Sequence, residues 1–195
     1  MSSDTTKTDT GLFSDPDPCS EPVDPEQLLA DLVNMLRRFI VASEHQIIAV
    51  AFWIVHTHLT GSFENSPIAI INAPERACGK TLLLNVLERL VYRPLSSANA
   101  SPSALFRAIE KWGPTILIDE ADTFFKDNFD LQGMVNAGYG KDGCVLRTVA
   151  RGDGYDTVRF RVYGAKAIAG IALQKHLPDS TLSRGIILNL RRKLK

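Results

Sequence analysis

The stretch Ala73-Pro-Glu-Arg-Ala-Cys-Gly-Lys-Thr81 decides how this sequence is interpreted. The apolar residues 67–71 before it predict a buried strand, and residues 82–90 after it have the composition of a helix. In such a strand–loop–helix unit, the loop amides and the helix N-terminus face bound phosphate groups. Lys80 then reaches the β- and γ-phosphate oxygens, and the Thr81 hydroxyl ligates Mg²⁺. The stretch therefore predicts a site for a nucleoside triphosphate.

The loop departs from the common pattern G-x-x-x-x-G-K-[ST] at its first position, where Pro74 replaces glycine. Proline holds φ near about −65° and has no N–H, so it does not supply the conformational freedom of glycine. The amides that would contact phosphate come later in the loop. The predicted binding residues are Ala77, Cys78, Gly79, Lys80, Thr81 and Leu82. The alternative is a strand-to-helix turn that carries a lysine by chance.

Two adjacent carboxylates, Asp119 and Glu120, follow the apolar residues 115–118. Packing alone explains them poorly, because a buried charge needs a partner or a metal. Asp119 is predicted to hold Mg²⁺, directly or through a water, and Glu120 to orient and activate the attacking water. Lys80 and Glu120 are thus candidate catalytic residues. The alternative is an ordinary helix N-cap formed by Asp119 or Asp122.

Composition indicates an ordinary globular protein, with 45% hydrophobic and 23% charged residues. The formal net charge is zero, but residues 1–26 are acidic and residues 191–195 are basic, so a basic body follows an acidic tail. The three cysteines lack metal-like spacing, which favours a reduced, cytoplasmic compartment. The N-terminus has no signal-peptide pattern, and the longest apolar stretch is too short to span a bilayer. We therefore expect no membrane partner.

The chain divides into three predicted parts. Residues 1–23 are rich in Ser, Thr, Asp and Pro and are predicted to be a disordered acidic tail. Residues 24–62 are predicted to form a helical hairpin. Residues 63–195 alternate strands with helices, which predicts an α/β fold with a three-layer αβα core and a mostly parallel sheet.

Capping signals mark the starts of the two N-terminal helices. Asp24 is the predicted N-cap of the first helix, with Pro25 at its first position and Gln27 at the capping-box site. Ser43 and Gln46 form the corresponding pair for the second helix. Both helices are expected to pack beside the nucleotide-binding part.

A β-hairpin is predicted from two alternating segments, residues 144–150 and 157–163, joined by a glycine-rich stretch. Apolar residues alternate with arginines on the second segment, which indicates one buried and one basic face. A basic face can contact a phosphate backbone without reading its sequence. The candidate nucleic-acid residues are Lys141, Arg147, Arg159 and Arg161. The alternative is a solvated hairpin that forms salt bridges with the tail or neighbouring helices.

Two further polar residues are candidates for the chemistry. Arg184 precedes the last strand and can reach the γ-phosphate of a neighbouring subunit, where it would stabilise transition-state charge. A surface arginine paired with Asp179 is the alternative. Asn136 is a candidate sensor of the γ-phosphate, and a helix end closing on Gly138 explains it equally well.

With these residues assembled, the chain resembles a P-loop ATPase family of unknown function found in primase and helicase proteins of phages and integrative elements. The resemblance covers about residues 25–193. Its matching stretches are residues 51–58, 73–81, 101–106, 117–122, 145–148, 167–171 and 177–184.

The resemblance implies an AAA+-like or superfamily-3-helicase-like core that binds ATP with Mg²⁺ and hydrolyses it. It also implies a ring-forming homo-oligomeric motor that acts on single-stranded or duplex DNA during replication of mobile elements. Arg184 would be its arginine finger. One departure is that residues 166–171 do not end in a polar residue, where such motors often place an asparagine sensor.

Two other functions remain open at the level of sequence. The first is a non-motor, nucleotide-gated switch or scaffold in a replication or defence complex. The second is a small-molecule kinase, although no acceptor pocket is legible in the sequence.

Overall fold

The computed structural model describes residues 12–15, 17, 19–97, 100–125, 128–152 and 154–192. The elements alternate along the chain much as the hydrophobic patterns predict. They are α1 (Pro25–Phe39), α2 (Glu44–His58), β1 (Ile68–Ala73), α3 (Lys80–Leu87), β2 (Pro94–Ser97), α4 (Pro102–Trp112), β3 (Thr115–Ile118), α5 (Ala121–Phe124), α6 (Phe129–Ala137), β4 (Cys144–Arg151), β5 (Gly154–Arg161), β6 (Lys166–Ile171), α7 (Asp179–Leu182) and β7 (Gly185–Asn189).

The N-terminal helices begin where the capping signals predicted. Asp24 caps α1 by accepting a hydrogen bond from the Glu26 amide, but Gln27 does not complete a capping box, because its side chain donates to Asp31 instead. The capping box of α2 is complete, with Ser43 and Gln46 each bonding the other's backbone. Each satisfied cap of this kind stabilises a helix by about 1 kcal/mol.

A five-stranded, all-parallel sheet forms the centre of the molecule, in the order β2-β3-β6-β1-β7. Every residue of β1 and β3 is buried, which explains why these strands read as continuous apolar runs. The prediction of an α/β fold with a parallel sheet is therefore confirmed. The hairpin β4–β5 is a separate two-stranded antiparallel sheet inserted between α6 and β6.

Successive side chains of the central strands enter two different cores, because strand residues alternate between faces. On one face Ala69, Ile71 and Leu117 pack with α1, α2 and α3. On the other face Ile70 and Ile118 pack with α4 and α6. The N-terminal helices are thus part of one of the two layers that cover the sheet, and their apolar side chains share a core with its strands.

Trp53 shows how closely α2 is joined to the sheet. Its indole is only 2% exposed, and its Nε1 donates a 2.9 Å hydrogen bond to the Pro67 carbonyl just before β1. Burying an aromatic side chain of this size contributes about 2–3 kcal/mol relative to leaving it exposed. Among the described residues, no helix has the length and apolar character needed to cross a lipid bilayer.

Two residues of the segment predicted as a disordered tail contact the body of the protein. Arg93 donates from Nε and Nη2 to the two carboxylate oxygens of Asp15, at 3.0 and 2.6 Å. Phe13 lies edge-on to Trp112, with ring centroids 6.4 Å apart. The Arg93 guanidinium holds the pKa of Asp15 below its usual value. Residues 1–11, 16 and 18 of the tail lie outside the described residues.

Candidate functional site

The loop between β1 and α3 has the backbone geometry of an anion site. Ala77 and Gly79 both adopt left-handed conformations, with φ of 62° and 85°. Helix α3 begins at Lys80, two residues before the start expected from sequence, and no side chain caps its N-terminus. Its first amides therefore have no side-chain acceptor, and a helix N-terminus of this kind attracts phosphate.

The two halves of the predicted site meet at the carboxyl edge of the sheet. The Thr81 hydroxyl at the start of α3 donates a 2.9 Å hydrogen bond to Oδ2 of Asp119, directly after β3. Oδ1 of Asp119 accepts a 2.8 Å bond from the Glu120 amide. Because β6 lies between β1 and β3 in the sheet, only the tertiary fold brings Thr81 and Asp119 into contact.

These groups line one cleft of about 550 Å³. From the predicted set it contains Ala77, Lys80, Thr81, Asp119 and Glu120, and it adds four residues that the sequence analysis did not assign to the site. The added residues are Arg76, Asp122, Thr123 and Ile171. Arg76 adds a second positively charged side chain to the cleft that Lys80 lines. Its position inside the loop was the feature of the sequence that could have identified it as a site residue.

Other predicted loop residues do not line the cleft. Cys78 is 4% exposed and belongs to the core beneath the loop, with Sγ near the Arg76 carbonyl at 3.8 Å. Leu82 is 42% exposed. For Cys78 and Gly79, only backbone amides remain as the groups that would meet a ligand.

Asp122 has a structural contact rather than the capping role considered from sequence. Its Oδ1 accepts a 3.0 Å hydrogen bond from the Ile171 amide at the end of β6. Glu120 occupies the N-cap position of α5, and no side chain caps that helix. A Cβ on Gly170 would lie 2.6 Å from Oδ1 of Asp122. A larger residue at Gly170 would therefore require Asp122 or its neighbours to shift.

Strained backbone is concentrated at this edge. Glu120 has φ of 53°, and Ala172, just after β6, has φ of 50°. With Ala77, three non-glycine residues after neighbouring strands hold left-handed conformations that cost about 1 kcal/mol or more each. Such strain persists where the surrounding structure imposes it, and it is typical of functional sites.

Arg184 lies at the amino ends of the parallel strands, whereas Lys80 lies at their carboxyl ends. Its carbonyl accepts a 3.0 Å bond from the amide of Ile68, the first residue of β1. Its guanidinium lies over the Tyr139 ring, 5.9 Å from the centroid. No ion pair joins it to Asp179 within the described structure. Arg184 is therefore not among the residues that line the cleft with Lys80.

The hairpin separates the predicted nucleic-acid residues instead of presenting them on one face. Arg147 lies on the face towards the body, 3.0 Å from Asp130 and over the Phe106 ring. Lys141 pairs with Glu64 at 3.1 Å. The register places Arg147 opposite Val158, on the face away from Arg159 and Arg161 and beside apolar neighbours.

Arg159 and Arg161 do share the outward face of the hairpin. Antiparallel register puts Leu146 opposite Arg159, and both side chains are exposed. Tyr155, on the same face, is 83% exposed. The strands are also longer than expected and turn within Arg151–Gly154.

The side chain of Asn136 forms hydrogen bonds with α7. Its Oδ1 accepts a 2.9 Å bond from the Thr181 hydroxyl, and its Nδ2 donates to the Ser180 hydroxyl at 3.4 Å. These contacts join α6 to α7, and Asn136 is not among the residues that line the cleft. The interpretation of Asn136 as a phosphate sensor is therefore replaced by a structural one.

Fold and site together define an α/β protein with a helix-flanked parallel sheet, consistent with a P-loop-type arrangement. No family model matches the chain, and no curated protein matches it. The family resemblance seen in the motifs accordingly remains a hypothesis.

Proposed function

We propose that the cleft binds ATP with Mg²⁺ and hydrolyses it. The observation that carries the proposal is the 2.9 Å contact between the Thr81 hydroxyl and Asp119. It joins the end of the phosphate-binding loop to the end of the carboxylate strand at one point. A strand-to-helix turn that carried a lysine by chance would have no reason to meet an acidic pair there.

The donor set fits Mg²⁺. Hydroxyl and carboxylate oxygens are the hard ligands that this ion prefers, and the cleft leaves room for waters and phosphate oxygens to complete six-fold coordination. Thr81 and Asp119 would hold the ion, which when bound neutralises charge on the β- and γ-phosphates. Lys80 and Arg76 add positive charge on the loop side of the cleft.

Glu120 is the residue best placed to handle the attacking water. Its backbone amide is held by Asp119, which orients the residue, and Glu120 lines the same cleft. A carboxylate so placed would orient water for in-line attack on the γ-phosphorus and take up its proton. The bond between the γ-phosphorus and the bridging oxygen breaks, and ADP and inorganic phosphate are released.

Titration calorimetry with ATP and MgCl₂ tests binding, and phosphate release tests hydrolysis. We expect Lys80→Ala to abolish the binding heat. Glu120→Gln should keep ATP binding and lose turnover by about 10²-fold or more, as expected for removal of a general base. Absence of heat with the wild-type protein, or full turnover in Glu120→Gln, would refute the proposal.

The fuller proposal is a DNA-linked motor, a helicase or helicase loader working as a homo-oligomer in replication of mobile elements. The outward face of the hairpin, with Arg159, Arg161, Leu146 and Tyr155, combines cations with apolar and aromatic side chains suited to a single strand. Arg184 would complete the cleft of the next subunit. This part of the proposal predicts faster hydrolysis in the presence of single-stranded DNA.

A second candidate is a nucleotide-gated switch without motor activity. Neutralisation of Lys141 and Arg147 by carboxylates favours it, because it lowers the charge available to a nucleic acid. A motor and a switch differ in how their ATPase rates respond to DNA and to the substitution Arg184→Ala. DNA stimulates the ATPase of a motor, and Arg184→Ala removes that stimulation. The ATPase rate of a switch changes neither with DNA nor with Arg184→Ala.

A further inference from the structure

Lys166, the first residue of β6, is buried without a carboxylate partner within the described chain. Its side chain is only 1% exposed, and its Nζ donates to the carbonyl oxygens of Gly138, Val162 and Gly164, at 3.2, 2.9 and 2.8 Å. Burying an amino group is costly, and three well-placed acceptors offset part of that cost. A methionine would fill the same space without it, so the buried polar group calls for an explanation.

The three carbonyls belong to segments that the proposed function uses. Val162 directly follows β5, so it is the root of the hairpin, and Gly164 leads from that root into β6. Gly138 ends α6. The Lys166 Nζ therefore joins the hairpin root to the end of α6. The junction is tight, since a Cβ on Gly138 would lie 2.1 Å from the Val162 oxygen and 2.2 Å from Nζ.

The end of α6 leads on to Arg184. Tyr139 follows Gly138 and lies under the Arg184 guanidinium, at 5.9 Å from the ring centroid. The Tyr139 carbonyl accepts a 2.8 Å bond from the Ser66 amide, which fixes the segment beside β1. A short series of contacts thus runs from the hairpin root through Lys166 and Tyr139 to Arg184.

We infer that Lys166 is a positioning residue that ties the placement of Arg184 to the hairpin, through Gly138 and the Tyr139 ring. The inference rests on the proposed function to the extent that Arg184 acts on the nucleotide of a neighbouring subunit. Nucleic acid bound to the outward face of the hairpin would then change the position of Arg184 through a rigid junction. Binding of nucleic acid would in this way change the rate of ATP hydrolysis.

Steady-state kinetics separate positioning from mere stability. We expect Lys166→Met to keep the KM for ATP, because the cleft lies at the other edge of the sheet. It should lower the DNA-stimulated kcat at least about tenfold, since a misplaced arginine loses part of a contribution worth about 10³-fold or more. The control is Ile168→Ala, which weakens the same strand but removes none of the three hydrogen bonds of Nζ. A kcat unchanged in Lys166→Met, or an equal loss in both variants, would overturn the inference.

Amide hydrogen exchange tests the same coupling without relying on hydrolysis. In Lys166→Met, exchange should rise together at residues 138–140, 162–164 and 184–185, whereas Ile168→Ala should leave this joint pattern absent. Unchanged protection at residues 184–185 would show that the hairpin root and Arg184 are independent. If the wild-type protein fails to bind ATP, the proposed function falls while this measurement still decides the junction.

Tyr139→Leu supplies a second variant that leaves Lys166 in place, in case Lys166→Met does not fold. It removes the ring beneath Arg184 and should reproduce the loss of stimulated kcat at unchanged KM. Exchange at residues 162–164 should stay at the wild-type level. Wild-type stimulation in Tyr139→Leu would contradict the inferred route.

Discussion

Lys166 gives the stability of this protein a specific dependence on pH. Burial lowers the pKa of its ammonium from the ordinary 10.5 to about 7. Between these values the unfolded chain holds a proton on Lys166 that the folded chain has released. The free energy of unfolding must therefore rise with pH over this window, and the gain is lost as pH falls towards 7. One proton corresponds to a slope of up to about 1.4 kcal/mol per pH unit.

Urea denaturation of the wild-type protein and Lys166→Met at pH 7, 8 and 9 measures this effect. Other groups that titrate in the same range are common to both proteins, so the difference between the two slopes isolates Lys166. We expect the free energy of unfolding to rise more steeply with pH in the wild type, whatever the offset between the curves. Parallel curves would mean that Lys166 keeps its proton when folded, and the reasoning from burial would be refuted.

Further predictions concern backbone geometry and the cleft. Gly79→Ala meets no atom within 4 Å, so the strain at φ 85° should alone cost about 1–2 kcal/mol, seen in denaturation, and weaken ATP binding in calorimetry. Gly138→Ala places a Cβ 2.1 Å from the Val162 oxygen and should destabilise the fold by about 3 kcal/mol or more. Gly133→Ala, in the same helix with open space around it, should instead stabilise by about 0.5–1 kcal/mol, and a matching loss in both would contradict the steric argument. Asp119→Asn should weaken Mg²⁺-dependent ATP binding about tenfold while leaving the melting temperature of the ligand-free protein nearly unchanged, and equal affinity with and without Mg²⁺ in the wild type would count against a metal role.

The parts of the fold predicted from sequence depend on local chemistry. Ser43 and Gln46 are three residues apart, so a capping box follows from the sequence whatever the rest of the chain does. The parallel sheet follows similarly, because its central strands are buried on both faces and read as apolar runs. Gln27 shows the limit: it has the right spacing for a capping box, but Asp31 competes for its side chain.

The roles that sequence did not predict depend on contacts with residues that are distant in the chain. Arg147 belongs to an alternating pattern that allows either face, and the register of the hairpin together with Asp130 decides that it turns inward. Asn136 stands where a helix ends, and only the position of α7 shows that its partner is Thr181. Asp15 lies in a composition typical of disorder, yet Arg93 holds it by two hydrogen bonds.

The strand–loop–helix unit around Lys80 and the acidic pair after β3 could be recognised without a structure, because each is built from neighbouring residues whose conformational preferences are local. The contact of Thr81 with Asp119, the distance of Arg184 from the cleft and the burial of Lys166 against three carbonyls depend on the folded chain. The parallel sheet is responsible for all three. It places β6 between β1 and β3, aligns the carboxyl ends of these strands, and separates residues 80 and 184 by the length of β1.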